Sequence, residues 1–174
     1  MKAAGVGSMG EDERAARARR TDWPKSPGAC VCGAVRFEID VPAVWAWHDH
    51  SPASRHAQGC AYATYVGSWK SRFRLLEGED QVSRYEEPES HTVRSFCVRC
   101  GTPLFYERPR APKMINIPRA LFAERTGREP RYHTSMTEAA DWTYMGEALM
   151  PLKGYPGVLI ERPRKKKPRP EGMF

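Results

Sequence analysis

The chain has 174 residues, 40% hydrophobic and 28% charged, with a formal net charge of +7. That length fits one domain able to bury its own core, and no apolar run approaches the ~18 residues a membrane span needs, which excludes an integral helical membrane protein. The basicity sits at the ends: residues 1–25 hold six Lys/Arg against four acids, residues 161–174 hold six against two, and the stretch 26–160 is left at +1.

Residues 1–25 are rich in Ala, Gly and Arg and are expected to form a flexible basic segment. They lack the continuous apolar region of a secretory signal, and Glu11, Asp12 and Glu13 argue against a transit peptide. From 34 to 40 the sequence alternates strictly, Val35, Phe37 and Ile39 against Arg36, Glu38 and Asp40. This is the pattern of a half-buried strand, closed by Pro42. Residues 61–69, rich in aromatic and β-branched side chains, predict a second strand. Shorter strands are predicted at 73–76, 81–85, 92–96, 103–107 and 113–117, separated by turn signals such as Gly78, Pro88, Gly101 and Pro109. A short helix is predicted at 118–123, with Pro118 in its first turn and Leu121 and Phe122 facing inward. Residues 161–174, with their RPRKKKPRP run, read as a basic disordered tail. Any nucleic-acid contact is expected only there, weak and salt-sensitive. The fold class expected is a mainly β domain over 26–160 with one or two short helices.

Five cysteines are present. The odd count speaks against a secreted disulfide framework, and a cytoplasmic setting is expected. Four of them form two knuckles, Cys30-Val31-Cys32-Gly33 and Cys97-Val98-Arg99-Cys100-Gly101. In each, glycine follows the second cysteine and tolerates the positive φ that closes a short thiolate turn. A redox CxxC would need a βαβ context that is missing here. Two such knuckles predict a Cys₄ site for one structural zinc, closed to water and therefore not catalytic. Its binding energy would count toward folding. Cys60 lies outside the pattern and reads as a small buried apolar residue.

The strings GACVCGAVRFEID, RFRLLEGEDQVSRY and FCVRCGTPLFY resemble the GFA domain family, which takes its name from the glutathione-dependent formaldehyde-activating enzyme and includes centromere protein V. The resemblance runs from about Pro27 to Pro156 and implies a small, tent-like arrangement of β-sheets around zinc. It also implies a carbon–sulfur lyase acting on glutathione or another small thiol adduct. Family members carry a catalytic second zinc on a CHCxxCR segment. Aligned by Gly59-Cys60-Ala61-Tyr62-Ala63-Thr64-Tyr65-Val66, that segment falls on Asp49-His50-Ser51-Pro52-Ala53-Ser54-Arg55. The His and Arg are retained, while the three cysteines are Asp49, Ser51 and Ser54. Hydroxyls are poor zinc ligands beside thiolates. The second zinc is therefore expected to be absent in its usual form, leaving one structural zinc per chain.

The altered segment carries the candidate catalytic residues Asp49, His50, Ser51 and Ser54. If it is extended, His48 and His50 share one face and Asp49 points to the other, which makes His48 and His50 a candidate alternative metal pair, with Asp49 or His56 able to assist. A histidine-activated Ser51 or Ser54 lacks a nucleophile elbow. Arg55 is the candidate substrate-binding residue, its planar fork suited to a carboxylate or phosphate between walls such as Trp47, Trp69 or Tyr62. Two function classes follow: a thiol-adduct lyase with a remodelled site, or a non-catalytic zinc-stabilised binding module.

Overall fold

A computed structural model of the chain describes residues 23–146, 150–151, 153–154 and 159–160. The terminal basic segments lie outside these, apart from Trp23, Pro24 and Lys25. The chain divides into two units, 1–140 and 141–174. In the second, Met150–Pro151 pairs antiparallel with Leu159–Ile160. The first is mainly β and is built from two open sheets. No helix among the described residues is long and apolar enough to cross a membrane.

The smaller sheet orders β1 (Lys25–Ala29), β2 (Arg36–Asp40) and β5 (Phe73–Glu77), all antiparallel. The larger sheet runs β10-β3-β4-β9-β8-β7-β6, from Tyr132–Thr134 (β10), Trp45–Asp49 (β3), Ala63–Trp69 (β4), Met114–Pro118 (β9), Pro103–Glu107 (β8), Val93–Cys97 (β7) and Val82–Glu86 (β6). Its pairings are antiparallel except at one edge, where β10 lies parallel to β3.

The core lies where side chains of both sheets meet. Phe37 and Ile39 of β2 are fully buried, as the alternation predicts, and cluster with Val66, Phe105, Ile115, Ile117 and Phe122. The Phe37 ring lies 5.5 Å from Phe122 edge-on and 5.7 Å from Phe73, which meets Phe105 at 5.3 Å. Such aromatic contacts contribute roughly 0.5–1.5 kcal/mol each beyond area burial. Gly28 of β1 makes room for them: a Cβ there would sit 2.4 Å from the Phe37 ring.

Two expectations change in detail. Asp40, assigned to the outward face of its strand, is buried, because Lys25 bonds it at 2.6 Å and Arg74 pairs with it while also bonding Glu38 at 2.6 Å. Residues 118–123 form no α-helix: Pro118 ends β9 and a single 3₁₀ turn, Arg119–Leu121, follows. Phe122 resumes extended backbone, which turns its ring into the core. Among the described residues, the α-helix lies elsewhere, at Pro52–Gln58 (α1).

Candidate functional site

The first knuckle forms the turn between β1 and β2, and the second joins β7 to β8. Gly33 and Gly101 have φ of 73° and 70°. Their amides close the turns onto the Cys30 and Cys97 carbonyls at 3.0 and 2.8 Å. The turns thereby bring four sulfurs from the two sheets together. Cys30 lies 3.5 Å from Cys32, Cys32 lies 3.9 Å from Cys97, and all four sulfurs fall within 4.8 Å of one another. Sulfurs around one tetrahedral ion with ~2.3 Å bonds stand about 3.8 Å apart, so the cluster can hold a metal ion. Its electrostatics agree with that. The Thr102 hydroxyl, 3.0 Å from Cys100, holds that thiol down at about 6. At Cys32 a hydrogen bond from the Ala34 amide acts downward, but burial and the neighbouring sulfurs outweigh it and push the thiol up to about 11. Four crowded sulfurs resist becoming thiolates together unless a cation compensates.

The altered segment follows β3. Ser51 caps α1: its Oγ accepts from the Ser54 amide at 3.3 Å, Pro52 starts the helix, and Gly59 ends it in the left-handed region. Ser–Pro at one end and glycine at the other is a capping signal that makes this helix legible in the sequence. Asp49 is buried and its carboxylate is heavily used. Oδ1 accepts from the Ser51 amide at 3.0 Å and from Thr134 Oγ1 at 3.3 Å. Oδ2 accepts from Ser54 Oγ at 2.7 Å and stands 3.7 Å from Arg108. The three positions that resemble the family's cysteines thus hydrogen-bond to one another. Arg55 donates to the His50 carbonyl at 3.2 Å and the Glu138 carbonyl at 3.3 Å. Its fork is engaged by backbone, while His56 is exposed on α1.

The histidines lie on the other side of β3 from Asp49, as the extended reading requires. His48 Nδ1 is 2.9 Å from Thr64 Oγ1 of β4. His50 is fully buried; its Nε2 is 3.0 Å from Nδ1 of His133, and its own Nδ1 has no hydrogen-bond partner among the described residues. Burial, and then the positive charge His133 would carry, push the His48 and His50 pKa values below the usual imidazole range. His133 is the residue the sequence does not announce. It arrives through the parallel pairing of β10, which sets it opposite His48.

A cleft of about 680 Å³ runs along the β3–β10 edge. It is lined by Trp45, Trp47, Asp49 and Ser51 on one side, Arg108 and Arg110 on another, and residues 132–135 on the third. Of the walls named from sequence, Trp47 lines it, whereas Trp69 and Tyr62 lie elsewhere. Arg108 is fixed by a 2.8 Å bond to the Tyr106 hydroxyl and packs over that ring. Cys60, expected to be buried, is half-buried against the Trp47–Tyr65–Tyr106 cluster.

Comparison with known proteins agrees with this architecture. The family model described as glutathione-dependent formaldehyde-activating enzyme, GFA, matches residues 25–138. A Halomonas elongata protein assigned by name to the glutathione-dependent formaldehyde-activating enzymes is 28% identical over 122 residues, covering 66% of this chain and 77% of that one. A crystal structure of a Rhodobacter sphaeroides protein superposes with a TM-score of 0.50 at 22% identity, covering 57% of this chain and 89% of that chain. This last likeness bears on the fold alone.

Proposed function

Because the chain belongs to the GFA family, we propose that it binds a small thiol adduct of the glutathione type in the cleft and cleaves its carbon–sulfur bond by proton transfer. We assign one zinc to Cys30, Cys32, Cys97 and Cys100. Bound there, zinc supplies folding energy by tying the two sheets together; four thiolates leave no position for substrate. No step is routed through a second zinc at Asp49, Ser51 and Ser54, whose side chains are occupied with one another.

The observation that carries the reading is Asp49, which lines the cleft 3.7 Å from Arg108. A glutathione-type ligand offers a carboxylate to Arg110 and an apolar flank to Trp45 and Trp47. With an S-hydroxymethyl adduct, Asp49 Oδ2 takes the hydroxyl proton. The oxygen electrons form the carbonyl, the carbon–sulfur pair leaves on sulfur, and Asp49 returns the proton to give thiol and aldehyde. Ser54 and Thr134 hold the carboxylate in place, and Arg108 faces the charge developing on sulfur.

The test uses the zinc-loaded full chain and S-hydroxymethylglutathione. Aldehyde release is expected to fall about a hundredfold or more in Asp49→Asn with binding little changed, and Arg110→Ala is expected to weaken binding. The three hydrogen bonds that Asp49 already accepts favour a second reading, a binding module without chemistry. Binding without aldehyde release selects it. No change in tryptophan fluorescence or NMR signals of the cleft at millimolar glutathione defeats both.

A further inference from the structure

We propose a second metal site, separate from the cysteines and sharing His133 with one wall of the cleft, formed by the imidazoles of His48, His50 and His133 and suited to a divalent first-row ion such as zinc, cobalt or nickel.

The argument starts from strand geometry. Residues i and i+2 of a strand share a face, so the His-x-His at the end of β3 presents two imidazoles side by side. Directly paired residues on adjacent strands also share a face, and His133 is the register partner of His48. Three imidazoles from two strands therefore project together. Their rings confirm the placement: His133 lies 4.7 Å from His48 and 5.3 Å from His50, centroid to centroid, and the Tyr62 ring covers His48 at 5.1 Å and His50 at 4.9 Å.

The donor atoms suit an ion. His50 Nε2 and His133 Nδ1 are 3.0 Å apart. Two nitrogens bound to one ion at ~2.0–2.1 Å stand about 3.0–3.4 Å apart, so this pair is already at ligand spacing. His48 is the third donor, although its nitrogens do not yet stand at ligand spacing from the pair. With Nδ1 donating to Thr64 Oγ1, Nε2 keeps its lone pair, the arrangement in which an outer hydrogen bond fixes the tautomer of a metal-binding histidine. The His48 ring has to turn to bring that nitrogen to the pair; the centroids of His48 and His133 are 4.7 Å apart. Imidazole donors select borderline ions over calcium or magnesium. Three of them leave a fourth position for water or a ligand, unlike the four cysteines.

This site differs from the family's second zinc in donors and in location. The thiolate positions fall on Asp49, Ser51 and Ser54, and Asp49 points away from the histidines across the strand. The chain thus carries imidazoles on the opposite face of the strand whose thiolates it lacks.

Cobalt(II) distinguishes the sites, because only thiolate ligation gives sulfur-to-metal charge-transfer absorption. The full chain is titrated with cobalt(II) alone. Two equivalents are expected to bind, one with the sulfur bands and one with ligand-field bands only. His133→Ala, at an exposed position, and His48→Ala are expected to lose the second equivalent, weakening it at least tenfold, and to keep the first. Thr64→Val, which leaves all three imidazoles in place, is expected to weaken it less. Retention of the second equivalent in both histidine variants overturns the proposal, as does its loss in Asp49→Asn alone. Saturation of the wild-type chain at one equivalent, with sulfur bands, also overturns it.

Discussion

Replacing Asp49 by alanine tests whether hydrogen bonding has taken over the structural work at this segment. The substitution removes the acceptor of the Ser54 hydroxyl, which is 1% exposed, together with acceptors for the Ser51 amide and the Thr134 hydroxyl. A buried donor left without a partner costs about 1–3 kcal/mol, and a bond lost at a partly exposed amide about 0.5–1.5. Thr134 is exposed and regains water at little cost. The expected loss is thus about 2–4 kcal/mol, or roughly 4–16 °C in Tm for a chain of this size. Asp49→Asn keeps one acceptor oxygen and should lose about half as much. Urea unfolding of the zinc-saturated protein, with m-values compared, provides the measurement. If Asp49→Ala lies within ~0.5 kcal/mol of wild type, the network is incidental, and the account of why three hydroxyl- and carboxylate-bearing residues can stand here fails.

Four further outcomes are expected. Cys97→Ser should release zinc and unfold the domain, whereas Cys60→Ser should keep both metal and fold; a zinc-loaded, folded Cys97→Ser would remove that residue from the ligand set. Gly28→Ala should drive a methyl into the Phe37 ring and destabilise by about 1–3 kcal/mol or more, an effect absent if calorimetry shows an unchanged Tm. Burial alone would raise the Asp40 pKa, but its bonds to Arg74 and Lys25 outweigh that and hold it below its usual value. Its stabilisation is therefore present above the unfolded value of about 3.9 and is lost as pH falls through the lower native one. The stability gap between wild type and Asp40→Asn should accordingly be widest near pH 7 and close in acid, a trend a pH series of denaturation curves would reveal or refute. Gly67→Ala would place a methyl 2.1 Å from the Trp45 indole nitrogen; displacement of that cleft wall should alter tryptophan emission and weaken adduct binding.

The parts legible in the sequence are those written locally. Each cysteine knuckle is a turn with its own glycine, and Val35, Phe37 and Ile39 announce their strand by period alone. The convergence of Cys30 with Cys97 is what metal chemistry predicts for two knuckles with matched glycines that share one ion. Arg108 and His133 were not legible because they reach the site through tertiary pairing. The three residues of β10 are all exposed and carry no alternation of burial, so nothing in 132–134 marks a strand. The predicted helix at 118–123 failed for a related reason: the Pro118 that suits a helix start also suits a strand end, and the burial of β9 decided between them.

The shortness of β10 has a consequence for timing. Three exposed residues, held along one edge by a handful of backbone bonds, including His50 N to Thr134 O at 3.1 Å, make an element with little to resist local opening. The same three residues form one wall of the cleft and carry His133. Each opening of this edge would therefore widen the cleft and separate His133 from its partners in one event. Hydrogen exchange should show the amides of β10 exchanging fastest in the larger sheet, and any ligand or ion that bridges β10 to β3 should slow them together.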